Sequence, residues 1–225
     1  GIEFLGGSRV RAGAGVNVYP DLIDATVAQG LGGLHHFVGI PSTVGGAIWQ
    51  NLHFLSPAPD RSRTVFIEEV VASAEILSEE GEVREVERTY FRFGYDFSIL
   101  HERSDIVLTV TFPLEKDKPD VLRKVMEENL ELTAERPPNL PVLPSAGSIF
   151  QKIEGIGAGR LIDECGLKGE VRGGAQIYPR HANIIVNLGD ATATDVMALM
   201  ELARTTVLGR TGYELVPEIT LVGDF

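Results

Sequence analysis

At 225 residues the chain has room for one large domain or two modest ones, with a core that needs no crosslinks. Its single cysteine, Cys165, excludes a disulfide framework and any multi-cysteine zinc site. The balance of 20 basic against 32 acidic residues, a net charge of −12, argues against nucleic acid or an anionic membrane as a main partner. No apolar run reaches membrane-span length, and no signal-peptide pattern opens the chain, which begins without Met.

Tyr19 to Gln29 reads as a helix, with Pro20 in its first turn, Leu22, Ile23, Thr26 and Val27 on one face and Gly30 as its stop. Val71 to Leu77 and Val83 to Val86 read as strands joined by a turn at Ser78-Glu79-Glu80-Gly81. Ile106 to Leu114 is a β-branched apolar run, most simply a buried strand. Asp120 to Glu135 carries Leu122, Val125, Met126, Asn129 and Leu132 at helical spacing, and the proline-rich stretch from Arg136 to Pro141 ends it as a linker. Beyond it the pattern predicts a strand (Ser148 to Gln151), a helix (Ala158 to Cys165) and a strand (Asn183 to Asn187). A long helix follows, capped by Thr192 with Asp195, and a final strand runs from Leu215 to Val222. The expectation is an α+β protein of two domains.

Glycine makes up 25 of the 225 residues and clusters in Gly1 to Gly46 and Gly147 to Gly174. Gly39-Ile40-Pro41-Ser42-Thr43-Val44-Gly45-Gly46-Ala47 places Pro41 at a first-turn position, adds two hydroxyls, and lets something approach the backbone at Gly45-Gly46. Free amides at such a helix start suit a phosphate or pyrophosphate; a tightly packed helix on a sheet is the alternative. The stretch is neither a Walker loop nor GxGxxG. Arg11-Ala12-Gly13-Ala14-Gly15 is either another close approach or a plain turn.

Ser148 in Ser145-Ala146-Gly147-Ser148-Ile149-Phe150-Gln151-Lys152 is not a GxSxG nucleophile; it reads as a proton-donating or hydrogen-bonding serine, or as a turn residue. Glu218, inside the apolar final segment, is either solvent-facing or held at a site. The histidines show no metal-ligand spacing, and no metal is expected.

In order along the chain, these segments resemble the UDP-N-acetylenolpyruvoylglucosamine reductase (MurB) family. Arg11 to Gly15 resembles its GAG segment, Gly39 to Ala47 its GIPGSVGGA flavin loop, and Phe93-Gly94-Tyr95 with Ser98 its FxYRxS. Ser145 to Phe150 matches SAGSxF, and Leu161-Ile162 with Gly166-Leu167-Lys168-Gly169 matches LIxxxGLKG. Gly173-Gly174-Ala175 and His181-Ala182-Asn183 match GGA and HAN, and Leu215 to Gly223 matches LEPEVxxIG.

The resemblance implies an FAD-binding domain of the MurB and vanillyl-alcohol-oxidase type over 1–140, lacking its N-terminal portion. A smaller α+β substrate-binding domain over 141–212 follows, and 213–225 returns as a strand to the FAD domain. It implies NADPH-dependent reduction of UDP-N-acetylglucosamine enolpyruvate to UDP-N-acetylmuramate, a cytoplasmic step of bacterial peptidoglycan synthesis that serves cell wall biogenesis, cell shape and cell division. It further implies that hydride passes from NADPH through FAD to C3 of the enolpyruvyl group, after which C2 needs a proton. By the resemblance Ser148 supplies that proton and Glu218 assists, Lys152 meets the diphosphate and His181 contacts substrate. Gly39, Ile40, Pro41, Ser42, Thr43, Gly45, Gly46 and the backbone at Ile106 would contact FAD. A monomer is the expected state, with no nucleic acid and no membrane as partner.

Three departures from the family pattern stand out. Its Arg after the Tyr of FxYRxS is Asp96 here, with Arg92 or Arg103 as candidate replacements. Its NxGAYG loop reads Asn51-Leu52-His53-Phe54-Leu55. Its GGGSN pyrophosphate loop has no counterpart, so the chain is expected to begin part-way into the flavin domain. The short spacing from Ser98 to Ser148 points to the subgroup with shorter substrate-covering loops. The competing readings are an oxidase on the same FAD fold and an inactive UDP-sugar-binding module.

Overall fold

The computed structural model describes residues 1–57, 60, 62–134, 143–153 and 155–223. Two compact units divide the chain, Gly1–Glu135 and Arg136–Phe225. Each has its own cluster of buried apolar side chains. The expected linker at 136–141, and with it the expected boundary at 140/141, lies outside the described residues.

Unit 1 opens with strands β1 (Ile2–Gly6) and β2 (Arg9–Gly13), whose alternation sends Val10 and Ala12 into the core and Arg9 and Arg11 outward. The expected helix from Tyr19 is shorter than predicted. Tyr19 keeps an extended backbone, and the Leu22 amide donates to the Asn17 carbonyl (3.1 Å) across a wide turn. Only α1 (Ile23–Ala28) is regular, and it ends before Gly30, whose φ of +66° suits a stop.

There follow β3 (Leu31–Gly32), α2 (Val44–Gln50), β4 (His53–Ser56), β5 (Arg63–Phe66), β6 (Ser73–Leu77), β7 (Val83–Glu87), β8 (Ile106–Pro113), β9 (Glu115–Lys116) and α3 (Pro119–Ala134). Strands β1-β2-β8-β6-β7 form an antiparallel sheet in that order. The central place of β8 explains its continuous apolar run, since Val107, Val110, Thr111 and Phe112 are all buried. Leu122, Met126 and Asn129 form the buried stripe of α3, and the Asn129 amide donates to Ser56 Oγ at 3.1 Å.

Unit 2 contains β10 (Ser145–Ser148), α4 (Ala158–Glu164), β11 (Val171–Arg172), β12 (Ala175–Ile177), β13 (Ile184–Asn187) and α5 (Ala193–Thr211). Its sheet has the order β10-β13-β12-β11. The predicted capping box at the start of α5 is present: Thr192 Oγ1 accepts from the Asp195 amide, and Asp195 accepts from the Thr192 amide.

Two strand expectations need correction. β10 begins earlier than predicted, at Ser145, and its register shifts before Ser148 around Gly147 (φ +77°). The expected strand from Leu215 to Val222 is a short ladder to residues 149–151, with one bridge at Phe150–Pro217. Pro217 has no amide to extend it. That ladder pairs the segment within unit 2.

Candidate active site

The glycine-rich loop of unit 1 is positioned by the end of the sheet. The Ala14 amide donates to the Leu108 carbonyl of β8 (2.9 Å), and the Ala14 carbonyl accepts from the Gly45 amide (2.8 Å). The Val44 amide donates to Val16 (2.8 Å), and the Gly46 amide to Thr43 Oγ1 (3.2 Å), which caps α2. The first-turn amides expected to await a phosphate therefore already have protein acceptors. Pro41 precedes the helix and is not in its first turn.

At Gly45 the tight-packing alternative holds, because a Cβ there would come within 3.2 Å of the Ala14 Cβ and 3.3 Å of its carbonyl oxygen. Gly39, at φ +79°, faces Leu130, whose Cδ2 would lie 2.9 Å from an added Cβ. Gly46 differs. It is exposed, and an added Cβ would meet only the hydroxyls of Thr43 and Ser42, at 3.3 and 3.4 Å.

Gly39, Pro41, Thr43 and Gly46 share the exposed side of the loop, with Ile40 and Ser42 half-buried. Among the described residues the amides of Ser42 and Thr43 have no protein acceptor. This pair of donors beside an open glycine fits a ligand rich in acceptor oxygens, as FAD is. Ile106, at the start of β8, is 57% exposed.

The far end of α2 is clamped. Asn51, buried and in the left-handed region (φ +52°), donates to the Gly94 carbonyl (2.9 Å) and to Glu68 Oε1 (3.2 Å). Ser98 Oγ donates to the Trp49 carbonyl (2.7 Å). The ring of His101, stacked on Trp49 at 3.6 Å, places Nε2 3.0 Å from the same oxygen. The FxYDxS-like segment is thus seated on the last turn of α2. Asp96 Oδ1 lies 3.5 Å from Nδ1 of His53.

Arg103 is not available to replace the missing arginine. Its guanidinium is 2.7 Å from Asp105, 3.0 Å from Glu79 and 3.3 Å from Glu80. That hydrogen bond holds the buried Asp105 carboxyl down to about 2, against a desolvation cost, with Tyr90 also donating to it. Arg92 is exposed and has no acidic partner among the described residues.

In unit 2 one asparagine organises the predicted residues. Asn183 Oδ1 accepts from the Phe150 amide (3.0 Å), its Nδ2 donates to the Phe150 carbonyl (2.8 Å), and its own carbonyl accepts from Ile149 (2.9 Å). On the other side the Glu218 amide donates to the Ile149 carbonyl (2.8 Å), and the Gln151 amide to Val216 (2.8 Å). Glu218 is thereby set opposite Ile149, the residue after Ser148, and both Ser148 and Glu218 are half-buried.

The Ser148 hydroxyl has no hydrogen-bond partner among the described residues, and neither has the exposed Lys152 ammonium an acidic one. His181 lies three residues before Ile184, the cross-strand partner of Ser148. Its Nδ1 is the one buried side-chain polar atom left unpaired among the described residues. Gly159 lets α4 close on this loop, since a Cβ would sit 3.4 Å from Asn183 Cβ.

Other matched motifs are structural. A Cβ on Gly173 would strike Asp195 Oδ1 at 2.3 Å, and one on Gly174 the Ala191 amide at 2.4 Å, so the glycine pair fits against the cap of α5. Lys168 pairs with Asp163 at 2.6 Å. Sequence reasoning missed the bracing roles of Asn51 and Asn183; the only signal was an asparagine after a helix and one beside a histidine before a strand. Among the described residues no His, Cys, Asp or Glu cluster is arranged to hold a metal, and no helix is long and apolar enough to cross a membrane.

A family model for the C-terminal domain of UDP-N-acetylenolpyruvoylglucosamine reductase matches residues 137–222. The chain is 36% identical over 220 residues to the reductase of that name from Pediococcus pentosaceus, covering 98% of this chain and 70% of that protein. It is 38% identical to the one from Moorella thermoacetica, covering 97% and 68%. For the one from Listeria welshimeri the identity is 35% and the coverage 91% and 65%. The chain therefore spans about two thirds of the length of these relatives. The crystal structure of the Thermus caldophilus reductase superimposes with a TM-score of 0.72 at 32% identity, over 92% of this chain and 70% of that one.

Proposed function

The chain belongs to the UDP-N-acetylenolpyruvoylglucosamine reductase family, whose named members are oxidoreductases with an α+β fold, and we propose that it reduces UDP-N-acetylglucosamine enolpyruvate to UDP-N-acetylmuramate with NADPH. The cell compartment would be the cytoplasm and the process peptidoglycan precursor synthesis. When bound, FAD would supply the chemistry of accepting a hydride from NADPH and returning it to the substrate. Unit 1 is assigned to hold FAD, through the exposed side of residues 39–46, including the Ser42 and Thr43 amides, and the backbone at Ile106. Unit 2 is assigned to hold the substrate.

The observation that supports the reading is the ladder that brings the Glu218 segment against residues 149–151, directly after Ser148. Reduction at C3 of the enolpyruvyl group leaves C2 as a carbanion or enol that needs a proton. A serine hydroxyl is a weak acid, but a carbanion is a far stronger base, so the unpaired Ser148 O–H can deliver it. Glu218, on the neighbouring chain segment, can assist as an acid or stabilise the enol. Lys152, with no acidic partner among the described residues, offers a point charge to the diphosphate. His181 brings a buried nitrogen that still lacks a hydrogen bond. All four belong to segments that Asn183 braces or adjoins, and that shared support favours a single site in unit 2.

The test is spectroscopic. The purified protein should be yellow, NADPH should bleach it, and the enolpyruvyl nucleotide should restore the colour. A colourless protein that still binds UDP-sugars would favour the inactive binding module instead.

A further inference from the structure

Just ahead of the glycine-rich loop, unit 1 holds a hydrogen-bonded bridge that none of the assignments above uses. His36 lies in a short 3₁₀ helix, Leu34–Phe37, three residues before Gly39. Its Nδ1 is 2.7 Å from Ser56 Oγ at the end of β4, and the same Oγ accepts from the Asn129 side chain of α3 at 3.1 Å. Asn129 Nδ2 also donates to the His36 carbonyl, a long bond of 3.5 Å.

The bridge has one consistent arrangement of protons. Ser56 is fully buried and its oxygen already accepts from Asn129, so its own proton goes to Nδ1 of His36. That fixes the neutral tautomer, with the ring proton on Nε2. His35, whose ring centre is 4.0 Å from that of His36, is fixed in the same way, since its Nδ1 accepts from the Gly33 amide at 3.0 Å. A second proton on His36 makes both its nitrogens donors. Ser56 would then meet donors on two sides, and its own buried proton would lose its acceptor.

The surroundings do not neutralise a charge there. A cavity of about 270 Å³ is lined by both histidines, Arg63, Glu69 and the run Glu115-Lys116-Asp117. Arg63 opposes a cation on His36 and Glu69 favours one, but these two are paired with each other at 2.8 Å. Burial outweighs both and holds His36 below its ordinary 6.5, while Asp117 acts on His35. Charges on the other packed elements are engaged elsewhere: Asp21 with Asn17, His53 of β4 with Asp96, and Glu128 of α3 with Lys124. Asp24 of α1 and Glu127 of α3 line a separate groove with Arg123.

The bridge ties the entry to the loop onto α3. Leu130, next to Asn129, lies so close to Gly39 that an added Cβ would be 2.9 Å from its Cδ2. Between His36 and the loop, the Ile40 amide donates to the Phe37 carbonyl at 3.3 Å. We propose that His36, Ser56 and Asn129 form an acid-released latch: proton uptake by His36 breaks the bridge and frees residues 36–40, loosening the glycine-rich loop. The latch lies within unit 1 and does not depend on what the loop holds.

The test is amide hydrogen exchange of the intact chain, read by NMR and corrected for the intrinsic pH dependence of exchange. The open form takes its proton near the ordinary 6.5, the latched form only at lower pH. Opening at the Ile40 amide should therefore rise as pH falls below 6.5, by up to about tenfold per pH unit, and level off where the His36 ring itself titrates. The amides of β8 should open less. His36→Gln, which takes up no proton, should abolish the rise, and His35→Gln should keep it. Ser56→Ala should raise opening at Ile40 already at neutral pH, about three- to tenfold for one hydrogen bond.

A rise at Ile40 no larger than that of β8 would overturn the proposal, since it would report unit 1 as a whole. So would a rise that survives His36→Gln, or an Ile40 amide indifferent to Ser56→Ala. Should the variants fail to fold, the wild-type profile decides alone: an Ile40 amide that stays protected while the His36 ring titrates rules the latch out.

Discussion

Unit 1 and unit 2 treat their buried polar groups in opposite ways. In unit 1 the polar side chains brace the unit itself: Asn51 makes bonds to Gly94 and Glu68, Ser98 and His101 share the Trp49 carbonyl, and Arg103 is ringed by three carboxylates. In unit 2 Asn183 does similar bracing, but around it stand the half-buried Ser148 hydroxyl and the buried His181 Nδ1 with no partner among the described residues. Buried or half-buried polar groups without partners cost stability, so a fold keeps them where a ligand completes the bonding. By that measure unit 2 is the better candidate for the proposed substrate's polar contacts, while unit 1 offers open backbone amides in its loop.

The largest expected effect follows from that contrast. Ser148→Ala should lower steady-state turnover by about 10²–10⁴-fold, the usual worth of a positioned acid, while flavin content and melting stay near wild type. Glu218→Gln, which keeps shape but loses the charge and the acidic proton, should slow the same step by less. Turnover unchanged in Ser148→Ala would reduce the serine to a turn residue.

Next comes Asn183→Ala. It removes both side-chain bonds to Phe150 and leaves buried backbone groups unpaired, at a cost of about 1–3 kcal/mol each. Unit 2 should melt earlier, and substrate turnover should fall because Ser148 and Glu218 lose their common brace. A variant that melts normally would show that the strand, not the asparagine, does the holding.

Lys152→Ala is smaller still. Without the ammonium's point charge at the diphosphate, the substrate KM should rise about tenfold, about 1.4 kcal/mol, with flavin reduction by NADPH spared. A defect confined to the NADPH step would move Lys152 away from the diphosphate.

A further effect separates the units by acid. Burial, with the neighbouring His36 second, pushes His35 down to about 4, and the folded state keeps the ring neutral. Below pH 6.5 the unfolded chain binds a proton that the folded chain refuses until about pH 4, so stability falls as pH falls through that window. Unit 1 should lose protection from hydrogen exchange across that range before unit 2 does. His35→Gln should flatten the trend; an unaltered acid profile in that variant would locate the sensitivity elsewhere.

Much of this was legible in the sequence where one local rule decided the outcome. The capping box at Thr192 and Asp195, the buried run of β8 and the stripe of α3 are set by neighbours three or four residues away or by alternation, and all were found. Tyr19 was misjudged because a proline near a helical pattern looks like a first turn, yet the chain there takes an extended step. The loop amides were misjudged because their acceptors, Ala14 and Val16, lie some 30 positions away, and no local pattern shows that. A longer separation still hid the contact between His53 and Asp96, which the sequence shows only as two separate departures from the family pattern. At the candidate site the residue types were readable, but the ladder that brings the Glu218 segment against residues 149–151 needed the fold.

The claim most exposed to a single measurement is that proton delivery by unit 2 is separate from the hydride chemistry assigned to unit 1. Stopped-flow mixing of Ser148→Ala holoenzyme, first with NADPH and then with the enolpyruvyl nucleotide, divides the two. The account predicts bleaching by NADPH at the wild-type rate and a return of colour slowed by at least about 10²-fold. Wild-type rates in the second step, or equal slowing in both, would contradict it.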